Sequence, residues 1–337
     1  MQHTVVYREP GRFAGWPANH GIWSWGNEIV VGFELGYLKP GPGFHAIDEE
    51  RPKVPAQARS LDGGETWQVE QPLFVRPSAG RHSSIRFTHP DFALRCRRSG
   101  TEAGAIAWYY ISYDRCRTWQ GPYDLPMFGQ TGVPARTDYI VQGPERCLLF
   151  LTAAKSDGRE GRPFCAQTTD GGQTFEFLSW IGPEPEGFAI MPASVQLSAS
   201  RLLVAVRCKE GADDFVTAQH CIELYASDDA GVTWTYLARP VADTGVGGNP
   251  ATLTRLSDGR LCLTYGYRKP PYGMRATVSS DGGVTWGEEI ILRDDAGSHD
   301  IGYPRTVLRS DGTVVTVYYY NDHPAGERYI AATLWRP

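Results

Sequence analysis

The sequence predicts an all-β protein, a six-bladed β-propeller, and two observations carry that prediction. An octapeptide recurs five times: SLDGGETW from Ser60, SYDRCRTW from Ser112, TTDGGQTF from Thr168, SDDAGVTW from Ser227 and SSDGGVTW from Ser279. The starts lie 52, 56, 59 and 52 residues apart, the period of one propeller blade. Composition is the second: 38 Gly, 24 Pro and 12% aromatic residues among 337 suit short strands and tight turns better than helices.

Each octapeptide reads as a turn. Asp62, Asp114, Asp170, Asp229 and Asp281 can fold a carboxylate back onto backbone N–H groups. Gly64, Gly172, Gly231 and Gly283 supply a positive-φ position, and Trp67, Trp119, Phe175, Trp234 and Trp286 cover the turn with a ring. SYDRCRTW lacks both glycines, so its turn is expected to be the least regular. Equivalent copies inside a turn motif are scaffold, not paired catalytic carboxylates. GNEIVVGFELGY, RCLLFLTAAK, SRLLVAVRC, DGRLCLTYGYR and DGTVVTVYYYND read as apolar strands, all but the last followed by an octapeptide. Five boxes and this terminal unit make six blades. The end of the chain, YIAATLWRP, is expected to close the ring in one sheet with N-terminal residues, because closure leaves fewer bare strand edges. No linker divides the chain, which reads as a single domain over 1–337.

With 41% apolar residues the chain can bury a large core. A net charge of −5 gives no basic field, which argues against nucleic acid as a partner but leaves room for local Arg clusters. MQHTVVYREPGRF lacks a signal peptide's apolar stretch, and no window approaches a membrane span; a cytoplasmic location is expected. Seven scattered Cys read as reduced, mostly buried thiols. RDDAGSHD, with Asp294, Asp295, His299 and Asp300, lacks the spacing of a calcium loop and reads as a turn. No dinucleotide or phosphate-binding loop is present, so no metal or cofactor is expected.

The Asp boxes, the period and the strand starts resemble the sialidase (neuraminidase) superfamily over nearly the whole chain. That resemblance implies three Arg clamping a carboxylate, a Tyr–Glu pair as nucleophile and an Asp as acid/base, an exception to the two-carboxylate glycosidase scheme. Arg275, in YGMRATVSSDGGVTW, matches the third Arg, and Arg207, ending RLLVAVR, resembles the second. Tyr303, in DIGYPRTVLRSDG, matches the nucleophile, 28 residues after Arg275. The pattern departs elsewhere. GWPANHG places Trp16 at the first Arg, and IMPASVQL places Met191 at about the Glu. The loop LKPGPGFHAIDEERPK, where the acid/base belongs, offers His45, Asp48, Glu49 and Glu50.

The remaining candidates are strand-start residues. Arg305 shares a strand face with Tyr303 and could replace the missing Arg or pair with an acid. Asn19 and His20 lie at the mouth of blade one, where His20 could move a proton near neutral pH. His82 starts blade two, Arg136 and Asp138 open blade three as site residues or an ion pair, and Asn249 opens blade five. Together these imply an enzyme that cleaves a terminal acidic or deoxy sugar in an axial pocket at the face opposite the boxes. Arg207, Arg275 and Arg305 would hold an anionic group, Tyr303 would contact the anomeric region, and His20 or a carboxylate of 48–50, such as Asp48, would move the proton. Hydrolysis is favoured, with β-elimination of a uronate open. The alternatives are a non-catalytic carbohydrate-binding propeller and a true exo-sialidase.

Overall fold

The computed structural model describes residues 1–41, 43–76, 83–211 and 214–337. Strand makes up 50% and helix 1%, and six sheets form the blades of a β-propeller. Strand β1 (Gln2–Tyr7) precedes blade one, which contains β2 (Arg12–Gly15), helix α1 (Pro17–His20), β3 (Ile22–Trp25), β4 (Glu28–Tyr37), β5 (Val54–Ser60) and β6 (Gln68–Glu70). Its order is β2-β4-β5-β6, with β3 also paired to β4. Blade two has β7 (Leu73–Val75), β8 (Ala93–Ser99), β9 (Ile106–Ser112) and β10 (Thr118–Asp124), ordered β7-β10-β9-β8.

Blades three, four and five keep chain order. They comprise β11 (Tyr139–Val141) to β14 (Glu176–Trp180) through β12 (Cys147–Ala154) and β13 (Glu160–Thr168); β15 (Phe188–Gln196) to β18 (Thr235–Val241) through β16 (Leu202–Lys209) and β17 (His220–Ser227); and β19 (Ala251–Arg255) to β22 (Ile290–Arg293) through β20 (Leu261–Tyr267) and β21 (Gly273–Ser279). Blade six joins β23 (Gly302–Leu308), β24 (Val314–Tyr320) and β25 (Tyr329–Trp335) to β1, in the order β1-β25-β24-β23. Gln2 faces Leu334 and Val5 faces Ala331, so the two ends of the chain do share a sheet, as expected.

The apolar runs account for the second strand of each blade. All eight residues of β12 and all seven of β24 are buried, because a strand covered on both faces needs no polar alternation. Contacts group the residues into two compact units: Met1–Gln71, Asp214–Ile222 and Pro240–Pro337 in one, Pro72–Asp213 and Glu223–Arg239 in the other. The first has a core around Phe13, Phe33, Val317 and Tyr319; the second has one around Phe87, Leu149 and Phe164. All seven cysteines are buried and free of disulfides, and burial pushes the Cys96 thiol up to about 12. No helix among the described residues is long and apolar enough to cross a membrane.

Every Asp box is held by the same bonds. In the fifth, Ser279 Oγ donates to Asp281 Oδ1 at 2.8 Å, Gly283 N–H donates to Ser279 Oγ at 2.9 Å, and Thr285 N–H and Oγ1 donate to the two carboxylate oxygens at 2.9 and 2.5 Å. Trp286 Nε1 then caps the turn on Gly283 O at 3.0 Å. The second box corrects the sequence expectation. Arg115 and Cys116 take up φ of 57° and 65°, replacing the two glycines, and Ser112, Asp114 and Thr118 make the usual bonds at 2.6–2.9 Å. The side-chain bonds dictate the turn, and left-handed strain at two L residues is tolerated.

Hydrogen bonds from Thr285 and Ser279 hold the Asp281 carboxyl down at about 2, and those from Thr233 and Ser227 do the same for Asp229. A depressed carboxyl stabilises the fold above its unfolded pKa and loses that contribution as pH falls through the folded value. Asp281→Asn should therefore lower the melting temperature at pH 7, with the gap to wild type closing as pH falls from about 4 towards 2. A gap independent of pH in thermal melts would mean the carboxylate charge does not matter.

Candidate active site

Tyr303 sits where β23 breaks register against β24, between Gly302 and Arg305. Gly302 has φ 101° and Tyr303 φ 50°, a conformation that a bulky residue keeps only when its surroundings impose it. Asn249 imposes it. This amide is fully buried; Nδ2 donates to Ile301 O at 2.9 Å and Oδ1 accepts from Tyr303 N–H at 2.8 Å. A Cβ at 302 would lie 2.3 Å from Asn249 Nδ2, so only glycine fits. The half-buried Tyr303 ring is thereby presented to His45 (centroids 6.4 Å, 78°) and Tyr319 (6.0 Å, 66°), with Arg268 Cζ 5.5 Å from its centroid.

Beside it lies a buried carboxylate with four donors. Asp300, 1% exposed, accepts from His45 Nδ1 at 2.6 Å, Tyr319 Oη at 2.9 Å, Ala46 N–H at 2.9 Å and Arg328 Nε at 2.8 Å. Burial alone would push its carboxyl up; the His45 hydrogen bond and charge, the Arg328 charge and the Ala46 N–H outweigh it and hold it well below the usual carboxylate range. An ionised Asp300 accepts the hydrogen bond of His45 Nδ1–H, which fixes the ring with Nε2 on the side away from the carboxylate. The His45 side chain is 24% exposed, enough for contact with a bound molecule.

Arg268 completes the cluster. It is fully buried and donates to Ile301 O at 2.9 Å, Gly248 O at 2.9 Å and Tyr319 Oη at 2.8 Å, beneath the Phe44 ring at 5.2 Å. Burial pushes Tyr319 far above the usual phenol range, so it remains a neutral link between Arg268 and Asp300. Two guanidinium charges against one carboxylate leave these groups with a positive excess. Trp16 sits edge-on to His45 at 5.2 Å and packs on Phe13 at 4.8 Å. Its φ is 59° and that of Met191 is 55°. Among the described residues, seven non-glycine positions have positive φ, and three of them are Trp16, Met191 and Tyr303, the positions that the sialidase resemblance aligns with catalytic residues.

The other candidates take different places. Arg275 does not reach for a ligand: Nε bonds Glu289 at 3.1 Å, Nη2 bonds Pro271 O at 2.9 Å, and Nη1 bonds Met274 O and Arg293 O. These partners take four of its five N–H groups, and the side chain is 2% exposed, which corrects the clamp expected there. His20 is 3% exposed with Nε2 directed at Glu34 at 3.1 Å, so the proton-moving role expected of it is spent on a buried pair. Asp48 is ion-paired with Lys39 at 3.3 Å and accepts from Glu50 N–H, a loop clasp rather than an acid/base. Arg305 donates to Ala18 O at 2.8 Å, which joins β23 to α1 beside Asn19, whose N–H bonds Trp16 O. Asn249, fully buried, spends its amide on the backbone around Tyr303.

In the second unit, Arg207 lies with Nη1 3.8 Å from Met191 Sδ and its guanidinium 5.4 Å from the Phe188 ring. Arg136 is bidentate to Glu160, and Asp138 accepts from Ser194 Oγ at 2.5 Å. His82 lies outside the described residues. His45, Asp300, Arg268 and Tyr319 were missed as a set by sequence reasoning, since His45 and Asp300 are separated by 255 positions. The one local signal was that Asp300 directly opens the segment carrying Tyr303.

The fold and this site define a sialidase-like propeller. The BNR repeat-like domain model matches residues 92–316, and the chain belongs to that family and to the sialidase superfamily. A sialidase from Micromonospora viridifaciens is 29% identical over 266 residues, 74% of this chain but only 33% of the relative's length. Among solved structures, a protein of unknown function from Dyadobacter fermentans superposes with a TM-score of 0.75 at 23% identity, covering 98% of this chain and 97% of that one. A Streptococcus pneumoniae sialidase gives 0.67 at 12% identity, covering 99% and 70%. A Fusarium graminearum α-L-arabinofuranosidase gives 0.61 at 14%, covering 97% of each chain. The fold thus has glycosidase neighbours of more than one sugar specificity.

Arg275→Met should destabilise the protein by about 2–4 kcal/mol, through the buried carbonyls it strands, without unfolding it at 25 °C. Urea unfolding and turnover on one preparation decide it: lost turnover at full stability would restore the clamp.

Proposed function

We propose that the protein is a sialidase-superfamily glycoside hydrolase acting on a terminal acidic or deoxy sugar, with His45 as the acid/base and Tyr303 in contact with the anomeric side. The observation that carries this is the pairing of His45 with a buried, ionised Asp300 beside a Tyr303 held in a strained conformation. His45 takes over the acid/base part. As imidazolium it gives the Nε2 proton to the glycosidic oxygen while the C–O bond breaks, and Asp300 steadies the charged ring. Water adds to the anomeric carbon and returns its proton to Nε2, so the histidine ends as it began. Tyr303 lines the anomeric side, supplying a neutral phenol where a carboxylate would repel an acidic sugar. The excess charge of Arg268 and Arg328 over Asp300 favours an anionic group through the local field, although the whole chain is acidic.

Aryl glycosides of sialic acid, a uronic acid, rhamnose and fucose, assayed with wild type, His45→Gln and Tyr303→Phe, test the reading. His45→Gln should lose about 10²–10⁴-fold in kcat on the accepted sugar, and Tyr303→Phe should lower it by less, each with its melting temperature kept. Turnover indifferent to both substitutions, or no turnover on any of these sugars, would refute it; binding without turnover would favour the carbohydrate-binding module.

A further inference from the structure

A cleft of about 340 Å³ has Phe44, Ala46, Tyr272, Ser298, His299 and Arg328 in its lining. Tyr303 is not part of that lining, so a molecule bound there is not held by the residue assigned to the sugar. The charge of the cleft is one-sided. No carboxylate lines it among the described residues, and Asp300 is 1% exposed. Burial and the charge of Arg268 hold the His299 imidazole below its usual range, so it is neutral, and its Nε2–H is spent on Phe44 O at 3.1 Å. Arg328 is therefore the charged group of the lining. It is 4% exposed, and four of its five N–H groups meet Asp300, Pro324 O, Gly326 O and Ser298 Oγ. The fifth, on Nη2, has no protein acceptor among the described residues. An acceptor that reaches it meets a cation with little competing water, where a charged hydrogen bond is strongest.

We propose that this cleft is an effector site for a small organic monocarboxylate, and that filling it tightens the hold of His45 on its proton. The carboxylate meets Arg328, and an apolar body of a few carbons lies against Phe44, Tyr272 and Ala46. The coupling to His45 runs through one side chain. Arg328 Nε and Ala46 N–H both donate to Asp300 Oδ2, at 2.8 and 2.9 Å, while His45 Nδ1 meets Oδ1 at 2.6 Å. A second anion on Arg328 draws its charge away from Asp300 and adds negative potential of its own, and both effects favour the imidazolium. The remaining groups around His45 form a background that the ligand does not touch. Tyr319 Oη lies 3.4 Å from Nδ1, the Tyr303 and Trp16 rings stand edge-on, and Arg268 lies beyond Tyr319 and beneath Phe44. Asp48, on the same loop, is paired with Lys39. Linkage makes the effect reciprocal: the carboxylate binds more tightly as pH falls and His45 takes up its proton.

The test is NMR of the histidine-labelled full chain, titrated over pH with butyrate, its neutral isostere butyramide, chloride or inorganic phosphate. Saturating butyrate should raise the midpoint of the His45 titration by about one pH unit, the same statement as about tenfold tighter binding to the protonated form. Butyramide, chloride and phosphate should leave that midpoint in place. Ala46→Leu, which puts a larger side chain into the cleft, should abolish the butyrate shift at unchanged melting temperature and unchanged ligand-free midpoint. Butyrate that fails to bind, binds no better than butyramide, or binds without moving His45 would overturn the site, and these comparisons on wild type need no variant. An equal shift with chloride or phosphate would overturn the organic ligand class, and a shift that survives in Ala46→Leu would overturn the placement in this cleft. None of these readings uses a sugar, so they stand or fall apart from the proposed hydrolase activity.

Discussion

The candidate site depends on one buried carboxylate. Asp300 gathers donors from three separate stretches: His45 and Ala46 in the loop after β4, Tyr319 in β24 and Arg328 just before β25. Without it Arg328 would be a buried cation lacking its counter-charge, a change that costs about 3–5 kcal/mol. Four hydrogen bonds to one charged group also leave the loop little freedom near His45. The same atoms that stabilise this region thus fix which nitrogen of His45 carries a proton.

A second constraint acts on the backbone. Asn249 holds the peptides on either side of Gly302, and the left-handed Tyr303 follows from that clamp. Strain of this kind persists where packing over-determines it, and it recurs at Trp16 and Met191. The chain thus keeps the unusual backbone at positions where the sialidase resemblance places catalytic side chains, while two of the three side chains differ. An indole replaces a guanidinium at 16 and a thioether replaces a carboxylate at 191. Both departures were already visible in the sequence, and under the proposed function His45 takes the acid/base part.

Much of the fold was legible because its signals are local. Each Asp box contains its own donors and acceptor within eight residues, and each central strand is an uninterrupted apolar run. The second box shows how far this goes: Ser112, Asp114 and Thr118 close the turn even with Arg115 and Cys116 at the glycine positions. Tyr303 was legible from its spacing to Arg275. Arg275 itself was misread because its role depends on Glu289 and on carbonyls of neighbouring strands, which no motif announces. His45 was seen only as one residue of a charged loop, since its partner Asp300 comes from the opposite end of the chain. Asp48, more sialidase-like in type, lies three residues away and is occupied by Lys39.

An ionised Asp300 should fix the protonation of His45, and ¹⁵N NMR of histidine-labelled protein measures that directly. With eight histidines, the His45 signals can be assigned by their loss in His45→Gln. Neutral His45 should carry its proton on Nδ1, with a far-downfield Nδ1–H resonance protected from exchange. A neutral His45 protonated on Nε2, or averaging freely between its two tautomers, would contradict it.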